Sequence, residues 1–377
     1  MRFPEFEGEW ENFLINDVCS EFKSGKNIKA DSISESGEYP VYGENGLRGY
    51  TSSYDHEGLY VLIGRQGALC GNVRSVHGKT FITEHAIAVA GNEISNTSFL
   101  HYLFVKMNLG QYSDQSAQPG LAVNKLLKIK VVLPSVSEQT KIARFLSLLD
   151  ERITTQNKII DKLQSLIKGL EDNLLDNTLW EKTYLRSFMQ FFSTNSLSWE
   201  QLSYEEGEIR NLHYGLIHGF QTRGINSASL PMIKNKAVPK QYTLCQVGDV
   251  AFADASEDTG EIAKSIEFVD TIEGDTICGL HTIHGRDIKN RTVVGFKGFA
   301  FNSRYFHNQI KRLAQGTKVF SITSNNLSSC YVYLPDLETQ KAIVKLLKAY
   351  EAQLLVSRKT LKQYENQKQY LLRQMFI

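Results

Sequence analysis

A chain of 377 residues is too long for one ordinary hydrophobic core and predicts two or three compact units. Hydrophobic residues make up 42% and charged residues 22%, which excludes disordered and collagen-like chains, and no apolar run is long enough to span a membrane. The net charge of +1 does not by itself indicate nucleic-acid binding, so any polyanion must be held by local patches or together with a partner.

The N-terminal segment and the cysteines bear on the compartment. The segment MRFPEFEGEWENF carries four glutamates before any apolar run, unlike a secretory signal. The five cysteines are far apart and form no C-x-x-C pair. We therefore expect a reducing environment and a cytoplasmic protein.

The first predicted globular segment covers residues 1–134. Runs rich in β-branched and aromatic residues predict strands at 60–63, 81–89 and 128–132, and 99–107 is typical of a short helix. Glycine-rich turns are predicted at 42–50 and 64–72, and they contain side chains of the types that can read base edges or stack on bases. These candidate DNA contacts are Tyr42, Asn45, Arg48, Tyr50, Arg65, Gln66 and Asn72. For any one of them, ordinary polar loop surface is the alternative.

A long helix is predicted within residues 135–178. Apolar residues recur at alternating spacings of four and three from Ile142 onward, which is the pattern of a coiled coil. The predicted seam comprises Ile142, Leu146, Leu149, Ile153, Gln156, Ile160, Leu163, Ile167, Leu170 and Leu174. The polar Gln156 interrupts it near the middle.

The second predicted globular segment covers residues 179–335, with a short helix at 305–313 and a strand at 330–334. Its candidate DNA contacts lie in the run NLHYGLIHGFQTR and the lysine-rich stretch after it. They are His213, Tyr214, His218, Gln221, Arg223, Lys234, Asn235, Lys236 and Lys240. Ordinary polar surface is again the alternative for each residue taken alone.

A second long helix is predicted within residues 336–377. Its seam follows the same spacing at Ile343, Leu347, Tyr350, Leu354, Ser357, Leu361, Tyr364, Lys368, Leu371 and Met375. Each helix would run for roughly 40 residues, or about 60 Å. Two such seams in one chain bury each other most simply, which predicts an antiparallel coiled coil.

The two halves of the chain are an internal repeat. Residues 124–146 match residues 325–347 at an offset of 201 without a gap, including the Leu-Pro pair and the glutamines Gln139 and Gln340. Upstream, His85-Ala86-Ile87 resembles His281-Thr282-Ile283 at a different offset. The pattern predicts a duplicated α+β architecture, in which two mixed globular units are each followed by one long helix.

The sequence contains no constellation that performs chemistry by itself. There is no Pro-Pro dipeptide for an amino-methyltransferase loop, no P-loop, no H-E-x-x-H and no G-x-S-x-G. His281 and His284 lack cysteine or carboxylate partners at ligand spacing, so we predict one outward and one inward histidine and no metal site. The carboxylates Asp254, Glu257, Asp258 and Glu261 are interpreted as a solvated loop.

These features together resemble the specificity subunit of Type I restriction–modification systems. The resemblance rests on FPEFEGEWENFLINDV, YPVYGENGLRGY, GLYVLIGRQGALCGN and the two junctions LPSVSEQTKI and LPDLETQKAI, each of which leads into a long amphipathic helix. Two positions depart from the pattern. The second junction has Thr339 where the first has Glu138, and the second seam contains the charged Lys368.

The resemblance implies target-recognition domains at 1–134 and 179–335 and conserved helices at 135–178 and 336–377, related by a pseudo-two-fold axis. Each domain would read half of a bipartite double-stranded DNA target. The subunit would be non-catalytic and would bind two methyltransferase subunits and two motor–nuclease subunits. Those partners would use S-adenosylmethionine, ATP and Mg²⁺, and this chain would carry no cofactor. The alternatives are a coiled-coil scaffold whose globular domains bind other ligands, and a stand-alone enzyme with an unfamiliar site.

Overall fold

A computed structural model describes residues 1–114, 119–220, 222–270, 272 and 274–376. The chain forms two compact units. The first unit joins Met1–Asn157 to Thr360–Ile377, and the second unit is Lys158–Lys359. Each long helix therefore contributes one part to the first unit and one part to the second.

The first unit is built on a six-stranded sheet, in the order β2-β7-β5-β6-β3-β4, with a separate two-stranded pair β1-β8. The elements are β1 (Glu11–Leu14), α1 (Ile15–Val18), β2 (Cys19–Ser24), β3 (Tyr39–Gly43), β4 (Gly46–Thr51), β5 (His56–Gly64), β6 (Val73–Ile82), β7 (Ala86–Gly91), α2 (Thr97–Met107), α3 (Val123–Leu126), β8 (Lys130–Leu133) and α4 (Val136–Leu175).

The second unit contains a five-stranded sheet, in the order β10-β19-β15-β17-β13, and a four-stranded sheet, β11-β14-β12-β18. Two-stranded pairs join β16 to β20 and β9 to β21. The elements are β9 (Glu181–Tyr184), β10 (Met189–Phe192), β11 (Leu202–Ser203), β12 (Arg210–Leu212), α5 (Tyr214–Gly219), β13 (Gly224–Ile225), β14 (Met232–Ile233), β15 (Val250–Ala253), β16 (Ala255–Ser256), β17 (Ser265–Phe268), β18 (Thr276–Cys278), β19 (Thr282–Asp287), α6 (Phe296–Ala300), α7 (Arg304–Leu313), β20 (Phe320–Ser321), α8 (Ser324–Ser329), β21 (Tyr331–Leu334) and α9 (Leu337–Met375).

The main sheets of the two units share the order and direction of five strands, and, among the described residues, β4 of the first sheet has no counterpart in the second. In the first, β7, β5 and β6 are antiparallel neighbours and β3 runs parallel to β6. In the second, β19, β15 and β17 are antiparallel neighbours and β13 runs parallel to β17. This shared order, together with the mixed α/β composition and the two long helices, confirms the predicted fold class.

A buried glutamine anchors the start of each long helix. Gln139 donates from Nε2 to the carbonyls of Ile94 (2.9 Å) and Pro134 (2.8 Å), and its Oε1 accepts from the Asn96 amide at 2.8 Å. Gln340 makes the same three kinds of bond, to the carbonyls of Arg291 and Pro335 and from the Val293 amide, each at 3.0 Å. The conserved spacing of the repeat thus reproduces one hydrogen-bonding arrangement twice.

The predicted seam positions face inward along both helices, since every one is buried or half-buried. In the first unit, the beginning of α4 and the end of α9 share a core through Leu146, Leu149 and Leu371. In the second unit, the end of α4 and the beginning of α9 do so through Leu175 and Leu347. Within each unit, the two helix segments are therefore neighbours that run in opposite directions.

The exception in the second seam has a local partner. The ammonium of Lys368 pairs with the Asp150 carboxylate of α4, and Arg152 lies 5.9 Å from the ring centroid of Tyr364. Because the Asp150 carboxylate lies opposite this position, the seam accommodates the Lys368 ammonium in place of an apolar side chain.

Two sequence assignments are corrected. The strand predicted at 81–89 is two strands, β6 and β7, because Ala86 closes a tight turn by donating to the Thr83 carbonyl at 3.0 Å. The glycine-rich turn predicted at 42–50 is a hairpin, β3–β4, whose connecting loop is only Glu44 and Asn45.

A buried histidine in the first unit is flanked by two acids. His56 Nδ1 lies 2.7 Å from Asp55 Oδ1, and its Nε2 lies 3.1 Å from Glu21 Oε1. Burial opposes protonation of His56, but the hydrogen bonds and charges of Asp55 and Glu21 outweigh it and raise the pKa of the imidazole.

Among the described residues, no helix is both long and apolar enough to cross a membrane.

Candidate nucleic-acid interface

In the first unit, the two glycine-rich segments meet at one end of the main sheet. A Cβ added to Gly64 would lie 2.5 Å from the Leu69 carbonyl oxygen and 3.4 Å from that of Glu44. The tip of the β3–β4 hairpin and the loop after β5 therefore pack closely around a position without a side chain. Leu121 donates to the Arg65 carbonyl at 2.8 Å and ties the base of this loop to the chain beyond it.

His85 connects the two segments. Its Nδ1 lies 3.3 Å from Gln66 Oε1 in the loop and 3.9 Å from Glu44 Oε2 in the hairpin, while its Nε2 lies 3.3 Å from Glu84 Oε1. The Arg65 amide donates to the His85 carbonyl at 2.9 Å. His85 was not among the predicted contacts, although its recurrence as His281 in the repeat is a signal that could have found it.

The cationic and amide side chains at this end are open to a ligand. Asn45 at the hairpin tip, Arg48 and Gln66 are exposed, and Arg65 is half-buried. Among the described residues, neither Arg48 nor Arg65 has an ion-pair partner, so both guanidinium groups keep donors for an external acceptor. Arg74, which sequence reasoning missed, extends its guanidinium over Gly46 at the same hairpin.

The remaining predicted residues of the first unit differ in exposure. Tyr42 packs against the core residues Leu62 and Ile82, which makes it chiefly a structural residue. Tyr50 is half-buried on β4, where its backbone pairs with Ser34. Asn72 is exposed where the loop rejoins β6, and its carbonyl accepts from Gly64 at 2.8 Å.

The corresponding end of the second unit carries a comparable group. The Asp254 amide donates to the His281 carbonyl at 3.0 Å, as Arg65 does to His85 in the first unit. His281 Nδ1 also lies 3.0 Å from Asp254 Oδ1, and the Tyr214 ring meets the His281 ring edge-on at 5.3 Å. The repeat thus places a histidine and a polar loop residue at the same end of both sheets.

His218 lies in a neighbouring ionic cluster. Its Nδ1 is 3.2 Å from Glu261 Oε2, and the Lys264 ammonium lies 2.9 Å from the same oxygen. Asp258 Oδ1 accepts from the Gly260 amide at 2.7 Å, and Glu257 and Asp258 are exposed, which fits the interpretation of this acidic stretch as a solvated loop.

His213 has an internal role, which corrects its assignment as a DNA contact. It is 3% exposed, and its Nδ1 accepts from the Gly215 amide at 3.2 Å to cap α5. Its ring stacks between Trp199 and Tyr214 at centroid distances of 4.5 and 4.7 Å. Burial, with a smaller contribution from the charge of His281, lowers the pKa of His213. The ring is buried between two aromatic rings and is therefore unsuited to reading bases.

Arg223 is also reassigned. Its Nη2 lies 3.8 Å from Glu171 Oε1 of α4, and its amide donates to Glu351 Oε1 of α9 at 3.3 Å. Both acids are largely buried, and burial raises the pKa of Glu351 to about 7 even though Arg223 opposes the shift. Arg223 therefore contacts the two acids on the helix segments of the second unit and has a structural role there.

The other predicted residues of this unit fall into three groups. Lys234 donates to the Glu200 carbonyl at 2.8 Å and is half-buried. Asn235, Lys236 and Lys240 are exposed. Gln221 lies outside the described residues. Of the two histidines three residues apart in the repeat segment, His284 points inward and His281 outward, which fits the predicted pair of one inward and one outward histidine.

Comparison with known proteins gives a consistent picture. The family described as Type I restriction modification DNA specificity domain matches residues 7–165 and 279–366. The Type I restriction enzyme EcoprrI specificity subunit of Escherichia coli is 39% identical over 165 residues, which is 43% of this chain and 40% of that protein. The Type I restriction enzyme MjaVIII specificity subunit of Methanocaldococcus jannaschii is 25% identical over 398 residues, covering 98% of this chain and 91% of that protein.

This chain thus aligns with less than half of the E. coli subunit's length. Among solved structures, the S subunit of a Type I restriction–modification system from M. genitalium has a TM-score of 0.67 at 14% identity, with 100% of this chain and 99% of that chain covered. At that identity the likeness establishes the fold, and it extends over both units.

Proposed function

Because the chain belongs to the family of Type I restriction modification DNA specificity domains, we propose that it selects the DNA target of a restriction–modification complex. In this proposal each unit reads one half of a bipartite double-stranded site, and the long helices, which contribute to both units, connect the two reading units. The observation that carries the proposal is the duplicated sheet, which presents a histidine and polar loop residues at the same end in both units, with arginines beside them in the first.

The chemistry of the first unit suits base readout. Arginine donates bidentately to guanine, and asparagine or glutamine pairs bidentately with adenine in the major groove. Arg65 and Gln66 lie side by side in one loop, with Arg48 and Asn45 on the adjacent hairpin. Their rigid support by backbone hydrogen bonds favours specific contacts over loose attachment to phosphates.

The partners follow from the same proposal. Two methyltransferase subunits would methylate adenine with S-adenosylmethionine, and two motor–nuclease subunits would use ATP and Mg²⁺ for restriction. This chain would be non-catalytic and act in the cytoplasm. A net charge near zero accords with partners that supply much of the contact to phosphates.

A matched pair of substitutions tests the interface. Arg65→Ala removes a guanidinium at the proposed reading end, whereas Lys79→Ala removes an exposed cation opposite Glu57. Glu57 is seven residues from Gly64 along β5, or about 23 Å. The dissociation constant for specific DNA is measured with the methyltransferase-bound protein. Arg65→Ala should raise it roughly 5- to 150-fold, the range for one lost bidentate base contact. Lys79→Ala should have little effect. Equal effects of the two variants would contradict the placement of the interface.

A domain exchange tests the division of labour. Replacing residues 1–134 with the same segment of another specificity subunit should change one half of the methylated site and leave the other half unchanged. Methylome sequencing of cells that carry the hybrid gives the answer directly. If both half-sites change together, the two units do not read DNA independently. If the exchange leaves the whole methylated site unchanged, the result favours the scaffold alternative, in which the globular domains do not read DNA.

A further inference from the structure

Among the described residues, one cluster joins three metal-ligating side chains, all in the second unit. The sulfurs of Cys245 and Cys278 lie 3.6 Å apart, and a ring nitrogen of His284 lies within 4.8 Å of both. All three residues are buried, at 7%, 3% and 1% exposure. The segment that carries Cys245 lies beside β18, since the Cys245 amide donates to the Thr276 carbonyl at 2.8 Å and β18 ends at Cys278.

The histidine is oriented by a carboxylate. His284 Nε2 lies 2.7 Å from Asp249 Oδ2, and Asp249 is itself held by Arg286, whose Nε and Nη2 donate at 2.8 and 2.7 Å. This hydrogen bond assigns the proton of the neutral imidazole to Nε2, so that Nδ1 carries the lone pair. A carboxylate behind a histidine is the usual support of a histidine that binds a metal.

The spacing of the sulfurs matches a tetrahedral metal ion. With metal–sulfur bonds of about 2.3 Å and a tetrahedral angle, two thiolates lie about 3.8 Å apart. A nitrogen at about 2.0–2.1 Å would lie about 3.5 Å from each sulfur. The observed sulfur–sulfur distance of 3.6 Å is thus within about 0.2 Å of this value, and the 4.8 Å limit on the ring nitrogen exceeds its ideal distance by about 1.3 Å. A disulfide would instead require the sulfurs to approach to about 2.05 Å.

A fourth ligand has access. A cavity of about 380 Å³ is lined by Cys278 and His284 together with polar residues that include Asn195, Gln241 and Thr243. A water molecule in this cavity could complete three protein ligands, which is the coordination of an open zinc site.

We propose that Cys245, Cys278 and His284 bind one zinc ion, with water as the fourth ligand. Two thiolates and an imidazole select soft to borderline cations such as Zn²⁺ over Mg²⁺ or Ca²⁺. The ion would join the four-stranded sheet to the main sheet of the second unit, because Cys278 ends β18 and His284 lies on β19.

Cobalt titration of the full-length chain under reducing conditions tests the proposal, with Co²⁺ as the spectroscopic substitute and Zn²⁺ as the competitor. One Co²⁺ per chain should bind with a thiolate-to-cobalt charge-transfer band, and Zn²⁺ should abolish the band. Cys278→Ser and His284→Gln should lose the band or weaken binding at least tenfold. Cys330→Ser, which removes another buried cysteine of the same unit, should retain both.

Two further results decide the outcome if a variant fails to fold. X-ray absorption of the zinc-loaded wild-type chain should show two sulfur neighbours at about 2.3 Å and at least one nitrogen or oxygen neighbour at about 2.0 Å. A shell of oxygen and nitrogen only would overturn the proposal. Retention of the cobalt band at unchanged affinity in Cys278→Ser, or a Cys245–Cys278 disulfide in protein purified under native conditions, would overturn it too.

Discussion

The buried glutamine at the start of each long helix offers a quantitative test of the repeat. Replacing Gln139 with leucine keeps a side chain of similar size but removes an amide that makes three hydrogen bonds. The carbonyls of Ile94 and Pro134 and the amide of Asn96 would then lose their partner. Since Gln139 is fully buried, no solvent stands ready to replace it.

The expected cost follows from these three groups. Each buried backbone group left without a partner costs about 1–3 kcal/mol. Taking the lower part of that range for all three gives about 3–5 kcal/mol, and the additional apolar surface of leucine offsets about 1 kcal/mol. A net loss of about 3 kcal/mol lowers the melting temperature by roughly 6–12 °C for a unit of this size.

Differential scanning calorimetry measures the effect, and the chain supplies its own control. Gln111 is an exposed glutamine whose Nε2 donates to the Met107 carbonyl at 2.6 Å, so Gln111→Leu should change stability by less than about 0.5 kcal/mol. Gln340→Leu should behave like Gln139→Leu, because its three bonds are equivalent. Should Gln139→Leu melt with the control, the glutamine is not the anchor of the helix and the argument from the repeat fails.

Two predictions concern pH. The pKa of His56 is raised in the folded protein, so its stabilising contribution is complete below the unfolded value of about 6.5 and is lost as the pH rises through the folded value; urea unfolding at pH 6 and pH 9 should show a smaller difference for His56→Gln than for wild type. The pKa of Glu351 is raised from 4.5 to about 7, so ionisation of this buried carboxyl destabilises the fold progressively between those values. Glu351→Gln should therefore be more stable than wild type above pH 7, while its amide oxygen can still accept from the Arg223 amide; a variant less stable than wild type at pH 8 would show that the ionised carboxylate is needed.

The long helices and the repeat were predictable from the sequence because their signals are local and periodic. Alternating spacings of four and three define a buried face without knowledge of the partner, and Gln139 and Gln340 recur at a fixed offset. The four-stranded sheet of the second unit could not be found in this way. Its strands are two or three residues long, too short for a period to register, and they pair only in the folded chain.

The candidate site was predictable only in part, because residue type identifies a side chain's chemistry but not its partners. Arg65 and Arg223 both follow glycine-rich or aromatic segments and look alike in the sequence. Glu171 and Glu351 lie 52 and 128 residues from Arg223 in sequence. Because Arg223 contacts these two acids in the fold, it has a structural role. His213 was misassigned for a similar reason, since the Trp199 ring that covers it belongs to another segment. The proposed zinc ligands could not be grouped from the sequence, because Cys245 and Cys278 are 33 residues apart and neither lies at ligand spacing from the other.

Carboxylates beside the proposed reading residues bear on how such an interface distinguishes its target. Glu44 and Glu84 flank His85, and Asp254 pairs with His281. A surface of arginines alone would attract any DNA through its phosphates. Carboxylates among the arginines reduce this non-specific attraction. They also repel acceptor groups of the DNA, so a base that offers no hydrogen-bond donor to the carboxylate is disfavoured. Carboxylates also accept from the cytosine amino group, which arginine cannot do. In the proposed function, a reading surface with both donors and acceptors, on a chain of nearly neutral charge, would sacrifice general affinity for discrimination and would leave most of the phosphate binding to the partner subunits.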